Sequence, residues 1–418
     1  MTGRQRFLMA LNHQEPDKIP IDFGATTASG ISASMIYKLR RAYNLPEHPI
    51  KIIDSFQMLG EIEEDLREKL NSDCVMVKPY TSTFGFRNDN WKSWTHFDGT
   101  PVLVPGDFNT VVNAQGGIYQ YPQGDKSVPP SGLMPKDGYY FDILTRQDPA
   151  FSADKPVLED NLVEFTPLSD EALKYYQKEA EYLRKNTGCA VSAAPGGTAL
   201  GNYSGITAPF LKHPKGLRDF EEWCVFLLTQ QDFIKELFDH QTQVAIKNLA
   251  LFQEAVGSNI DILFLCGTDL GTQNGPLFSV TVFNELYLPY YKRMTEWIHK
   301  NTSWKVFKHC CGSIKPLLKP LIEAGFDIIN PIQNSARDMD PQILKDEYGD
   351  KITFWGGGVD TQHTLPFGRP EEVFQQVTQR IKIYNKNGGY VFNTIHNVQT
   401  GIPVENFMAM MEALKQFR

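Results

Sequence analysis

From about residue 260 onward, short β-branched and aromatic runs alternate with amphipathic stretches of helical length. This alternation constrains the fold more than any other feature, because strands separated by helices pair in parallel through crossover connections. Strands are expected at 261–266, 304–309, 326–330, 352–355 and 389–393. Between the last two, 369–385 sets Val373, Val377 and Ile381 four residues apart on one helical face, with Gly388 and Gly389 as a stop. Residues 313–324 and 403–417 read the same way. Upstream, 19–23, 73–78 and 189–193 are strand-like, and 34–43, 61–70, 170–185 and 232–255 are helical in pattern. Eight apolar strands with intervening helices give an α/β class (β/α)8 TIM barrel, with an open doubly wound sheet as the rival. The expectation is one barrel domain over 1–418.

One stretch departs from the repeat. Within 81–167, turn residues separate 102–104, 110–112 and 118–121, the pattern of hairpins inserted on one barrel loop as a lid or subunit contact. A homodimer is compatible with such an element. The 41% hydrophobic content supports a large core, and 49 acidic against 41 basic side chains leave a net charge of −8 with no basic block to follow a phosphate backbone. Nucleic acid is thereby disfavoured as a partner. No apolar run reaches the length of a signal-peptide core at the start or of a membrane span anywhere, so a cytoplasmic, membrane-free protein is expected. Six cysteines are too few for a disulfide framework, which makes the adjacent Cys310 and Cys311 candidate thiols or metal ligands.

Barrel enzymes build their sites where strands end, so polar residues at those ends carry the functional signal. The strand 304–309 runs into His309-Cys310-Cys311-Gly312, the strand 389–393 into His396, and the strand 261–266 into Asp269. His309 and Cys311 offer an imidazole and a thiolate, donors suited to Zn²⁺, although a histidine at a strand end is more commonly structural. His396 facing them would complete a three-ligand site of the catalytic kind. Asp269 is a fourth ligand, a partner to a ligating histidine, or a turn or helix-capping residue. Cys310, on the opposite face of the pleat, reads as packing, and His363 lies on a loop less suited to ligation. Gln273, Asn274, Gln333, Asn334 and Asn393 are rim candidates for substrate hydrogen bonds, with Tyr203, Phe278 and Trp355 as candidate rings for stacking. The glycines at 356–358 read as a tight turn, since no Walker, dinucleotide, nucleophile-elbow or H-E-x-x-H pattern occurs.

The opening MTGRQRFLMALNHQEPDKIPIDFG, then KHCCGSIKPLLKPLIEAGFDIINPIQ, FWGGGVDTQ and GGYVFNTIHNVQTGIPVENFMAM resemble the uroporphyrinogen decarboxylase superfamily in order and spacing, with 81–167 outside the match. The resemblance implies a (β/α)8 barrel. True decarboxylases carry an arginine-bearing segment after the first strand to hold the substrate's carboxylates. Here Ile19 to Thr27 contain no arginine, which makes uroporphyrinogen-type decarboxylation, or a tetrapyrrole-binding barrel, the alternative. The other branch comprises zinc-dependent methyltransferases that exchange methyl groups with a corrinoid protein, and its H-x-C motif is similar to His309-x-Cys311. Thiol-methylating members have a second cysteine where this chain has His396. One thiolate and two imidazoles leave zinc at +1, a stronger Lewis acid that suits an ether oxygen. The expectation is therefore an O-demethylating methyltransferase, with Zn²⁺ on His309, Cys311 and His396 and Asp269 beside them. It would move a methyl group from a methoxylated, aromatic compound to the Co(I) of a separate corrinoid protein.

Overall fold

Runs such as Ile262-Leu263-Phe264-Leu265-Cys266 can bury both faces, which is what a parallel strand covered by helices requires. The computed structural model, which describes residues 1–163 and 165–418, has seven such strands: β1 (Cys74–Met76), β2 (Ala190–Ala193), β3 (Ile262–Cys266), β4 (Lys305–His309), β5 (Ile328–Asn330), β6 (Thr353–Trp355) and β7 (Tyr390–Val391). They form one parallel sheet in chain order. The connecting helices include Asp170–Asn186, Gln231–Val256, Lys315–Glu323, Pro370–Tyr384 and Val404–Lys415, close to the stretches expected from periodicity.

The eighth expected strand, 19–23, is reduced to a single parallel bridge between Ile21 and Phe392, so the described sheet is a curled seven-stranded one and not a closed eight-stranded ladder. Pro20 has no N–H to donate, and the Phe23 N–H turns to the Ser72 hydroxyl. The segment is nevertheless bonded on both sides. Asp22 donates to the Phe392 carbonyl at 2.9 Å, Phe392 to the Pro20 carbonyl at 2.9 Å, and Asp73 to the Ile21 carbonyl at 2.8 Å.

Inside the curl, Phe307, Ile328, Trp355, Val391, Ala190 and Ile262 pack together with Phe7 and Leu11 of an N-terminal helix, Gly3–Leu11. Phe7 meets Trp355 edge to face at 4.9 Å. The strand starts are tied by ion pairs: Asp73 takes Arg6 and Arg418, each at 2.7 Å, and Asp261 takes Arg4 and Arg184. The opposite end, where strands finish, is left for the site.

The stretch 81–167 does contain hairpins, in two four-stranded sheets. In one, Lys92–Thr95 pairs antiparallel with Pro101–Val104, which lies parallel to Ile50–Asp54, a strand the periodicity does not reveal. In the other, Thr110–Val112, Ile118–Gln120, Gly132–Met134 and Asp142–Ile143 form an antiparallel meander. Among the described residues no helix is long and apolar enough to cross a membrane.

Candidate metal centre

β4 ends on His309, and its register partner at the end of β5 is Asn330. The Asn330 amide donates from Nδ2 to the Trp355 carbonyl at 2.9 Å, which turns its Oδ1 toward His309 Nδ1 at 2.7 Å. Nδ1 therefore carries the proton and donates, leaving the Nε2 lone pair free. Nε2 faces Cys311 Sγ at 3.4 Å. Phe264, on β3, stacks against Phe307 at 5.0 Å and lies nearly parallel to the His309 ring at 6.4 Å, walling it with hydrocarbon.

His396 follows β7, and its ring meets that of His309 edge to face at 5.2 Å. The next residue anchors it: Asn397 takes the Gly30 N–H on Oδ1 at 2.6 Å, and donates from Nδ2 to the Gln57 side chain at 2.7 Å and to the Thr27 carbonyl at 2.9 Å. The Asn397 N–H donates to His396 Nδ1 at 2.8 Å. Donor atoms of His309, Cys311 and His396 all lie within 4.8 Å of one another. A tetrahedral zinc spaces its nitrogen and sulfur ligands about 3.3–3.6 Å apart, so His309 and Cys311 already stand at ligand spacing and His396 would close by up to about 1 Å to join them; the donor types suit zinc.

Asp269 is half exposed beside this group, its Oδ1 3.8 Å from His309 Nε2 and 2.6 Å from the Cys311 N–H it accepts. It begins no helix, so its capping role is to the Cys311 backbone. Two glycines bring the loops together: a Cβ on Gly271 would meet the Cys311 carbonyl at 2.6 Å, and Gly312, at φ +92°, abuts Gly271 just as closely. Cys310 points away, accepting the Leu270 N–H at 3.2 Å, and burial pushes its thiol up to about 12. His363 pairs with Asp360 on an exposed loop apart from the group.

Burial lowers both histidines. His309 is pushed down chiefly by desolvation, against the pull of Asp269 and Asn330, and His396 falls to about 4 through desolvation and the facing His309. Both imidazoles are therefore neutral at pH 7, the form in which a histidine can hold a metal ion. The Cys311 thiol is held well above its usual range by burial, Asp269 and Cys310, so binding a metal ion must expel its proton.

A cleft of about 610 Å³ opens over His309, His396 and Asp269. Of the eight residues expected to line the substrate, Tyr203 lines this cleft. The other seven do not line this cleft. Trp355 is fully buried and donates to Asp22, as Asn393 does to the Asp22 carbonyl. Gln333 and Gln273 are bonded to each other and brace the loops, Gln333 taking the Gly312 N–H and Gln273 donating to the Ser335 carbonyl. Asn334 is tied to Met339 and Tyr384, Asn274 sits in an exposed turn, and Phe278 stacks on Tyr287 at 5.3 Å. In their place the walls are Phe56, Phe210, Phe264, Asp54 and Gln57, which sequence reasoning missed. The clue to Phe264 is its place on an apolar strand that leads toward Asp269.

The uroporphyrinogen decarboxylase (URO-D) family profile matches residues 151–417, nearly two thirds of the sequence and including all four residues at the centre. The chain belongs to the URO-D family. No curated protein matches this URO-D chain. Among solved structures it is similar in fold to a methyltransferase from Methanosarcina mazei, at a TM-score of 0.54 and 14% identity, covering 100% of this chain and 99% of that one. A GH113 beta-1,4-mannanase aligns at a TM-score of 0.32 with 12% identity, over 96% of this chain and 99% of the other.

Proposed function

We propose that this URO-D family member is a zinc-dependent O-demethylating methyltransferase. It would move the methyl group of a methoxylated, aromatic compound to the Co(I) of a separate corrinoid protein. The observation that carries the reading is the meeting of two neutral imidazoles and one thiol, both imidazoles opening onto an aromatic-walled cleft. His309, Cys311 and His396 would hold the zinc ion, which when bound supplies a Lewis acid toward the ether oxygen. The name of the Methanosarcina mazei neighbour agrees with methyl transfer. The absence of arginine from Ile19 to Thr27 speaks against a polycarboxylate tetrapyrrole.

The chain's own residues do the positioning. Asn330 sets the His309 tautomer, Asp269 fixes the Cys311 backbone, and Asn397 holds the His396 loop against the segment after Ile21. Phe264, Phe210 and Tyr203 would seat an arene and keep water from the reacting bond. The residues would hold the ether so that its C–O bond can break with the electron pair left on oxygen, which would take a proton from water, and a partner's corrinoid, when docked, would supply the Co(I) nucleophile that accepts the methyl group. The sheet together with the Ile21 segment would count as a (β/α)8 barrel in one domain, with 81–167 as the lid or contact element at its mouth. The test mixes zinc-loaded protein, 1,2-dimethoxybenzene and free cob(I)alamin and follows the cobalamin spectrum. Methylcobalamin is expected, and its loss in His309→Ala and Cys311→Ala with folding intact. Methylcobalamin formed equally by the metal-free protein would refute the proposal.

A further inference from the structure

Among the described residues Lys308 is the only lysine that is fully buried, and no carboxylate there pairs with it. A buried cation without a counter-charge is costly to keep, so the bonds it makes have to account for its place. Lys308 precedes His309 on β4, and it does not line the cleft that His309 lines. Its ammonium donates instead to the Thr268 carbonyl, in the loop after β3, and to the His309 carbonyl at 2.7 Å. Thr268 is itself anchored, its hydroxyl donating to the Leu200 carbonyl at 2.7 Å and its N–H to Cys266 Sγ at 3.4 Å. From there the two loops run side by side. The Cys311 N–H donates to Asp269 at 2.6 Å, the Leu270 N–H to Cys310 Sγ at 3.2 Å and the Ser313 N–H to the Thr272 carbonyl at 2.8 Å. The ammonium is thus the first fastening of a seam that joins 268–272 to 308–313, and His309, Cys311 and Asp269 all lie along it.

We infer that Lys308 is a positioning residue: it clasps the Asp269 loop to the Cys310-Cys311 turn and so holds the zinc-binding side chains in place. Its charge and its bonds act on a divalent ion in opposite directions. As a charge it repels the ion, and its removal would tighten zinc binding. As a clasp it fixes the loop beneath the ligands, and its removal weakens zinc binding. The bonds to two backbone carbonyls on separate loops favour the clasp. The inference rests on the zinc-holding part of the proposed function and needs nothing of the methyl donor.

The experiment compares the unaltered protein with Lys308→Met, which keeps the length of the side chain and loses its donors, and with Lys308→Arg, which keeps them. Zinc affinity is read by chelator competition, and amide hydrogen exchange is read on the metal-free proteins. Lys308→Met is expected to bind zinc at least tenfold more weakly and Lys308→Arg to stay within threefold. In metal-free Lys308→Met the amides of Leu270, Cys311 and Ser313 are expected to exchange at least tenfold faster, with those of Leu263 and Val306 in β3 and β4 unchanged. If Lys308→Met does not fold, Lys308→Gln replaces it, with zinc affinity expected between those of the unaltered protein and the tenfold loss. Equal or tighter zinc binding without the ammonium overturns the inference, as does exchange that is unchanged at the seam or faster throughout the sheet. If the unaltered protein binds no zinc while the seam amides respond as expected, the clasp stands and the metal reading falls. If zinc binds equally to all variants, the metal reading stands and the clasp falls.

Discussion

Asn330 decides which nitrogen of His309 faces Cys311. Because its own amide is oriented by the Trp355 carbonyl, its oxygen can only accept, and Nδ1 must donate. Asn330→Ala should leave the fold intact and weaken zinc binding about 10–100-fold in a chelator competition, the usual effect of removing a ligand's hydrogen-bond partner. Asn330→Asp, which keeps an acceptor, should lose much less. Equal losses in the two variants would contradict the assignment. His309, Cys311 and His396 are legible in the sequence because their donor types are distinctive and strand ends bring them to one edge. Asn330 is not, since a lone amide at the end of an expected strand carries no donor pattern that sets it apart. Trp355 and Asn393 mislead for another reason. Trp355 packs inside the curl and gives its indole N–H to the Asp22 carboxylate, and the Asn393 amide goes to the Asp22 carbonyl, so neither lines the cleft.

Among the elements, the segment around Ile21 is the one whose strand pattern outran its pairing. The pattern shows apolar alternation but not that Pro20 removes a ladder donor, nor that the Asp22 side chain binds inside the curl. Its carboxylate takes the Trp355 indole N–H at 2.9 Å and the Ala25 N–H at 2.8 Å, and burial still pushes it up to about 7. A carboxyl raised on folding stabilises fully below its unfolded value and loses that contribution as pH climbs through the folded one. Relative to Asp22→Asn, the unaltered protein should lose on the order of a few kcal/mol of unfolding free energy between about pH 4 and 7. Parallel denaturant titrations of the two proteins over that range check it, and pH-independent difference would rule it out. The helix Gly3–Leu11 shows the opposite gap: its capping box, Thr2 with Gln5, is visible in the sequence, while its apolar residues run consecutively and hide the helical face.

In the whole molecule, the ion pairs at the strand starts and the centre occupy opposite ends of the sheet. Ion pairs through Asp73 join the N-terminal helix and the last residue, Arg418, at the strand starts, and the packed rings inside the curl lie between them and the candidate ligands His309, Cys311 and His396. Removing the metal with a chelator should therefore leave the far-ultraviolet circular dichroism unchanged and lower the melting temperature only by loss of ligand binding. Collapse of the secondary structure would mean that the ion is structural. The most direct test of the central claim is X-ray absorption of the zinc-loaded protein. The account predicts one sulfur at about 2.3 Å and two imidazole nitrogens at about 2.0 Å, with the sulfur lost in Cys311→Ala and kept in Cys310→Ala. A two-sulfur shell, or a sulfur that survives Cys311→Ala, would contradict it.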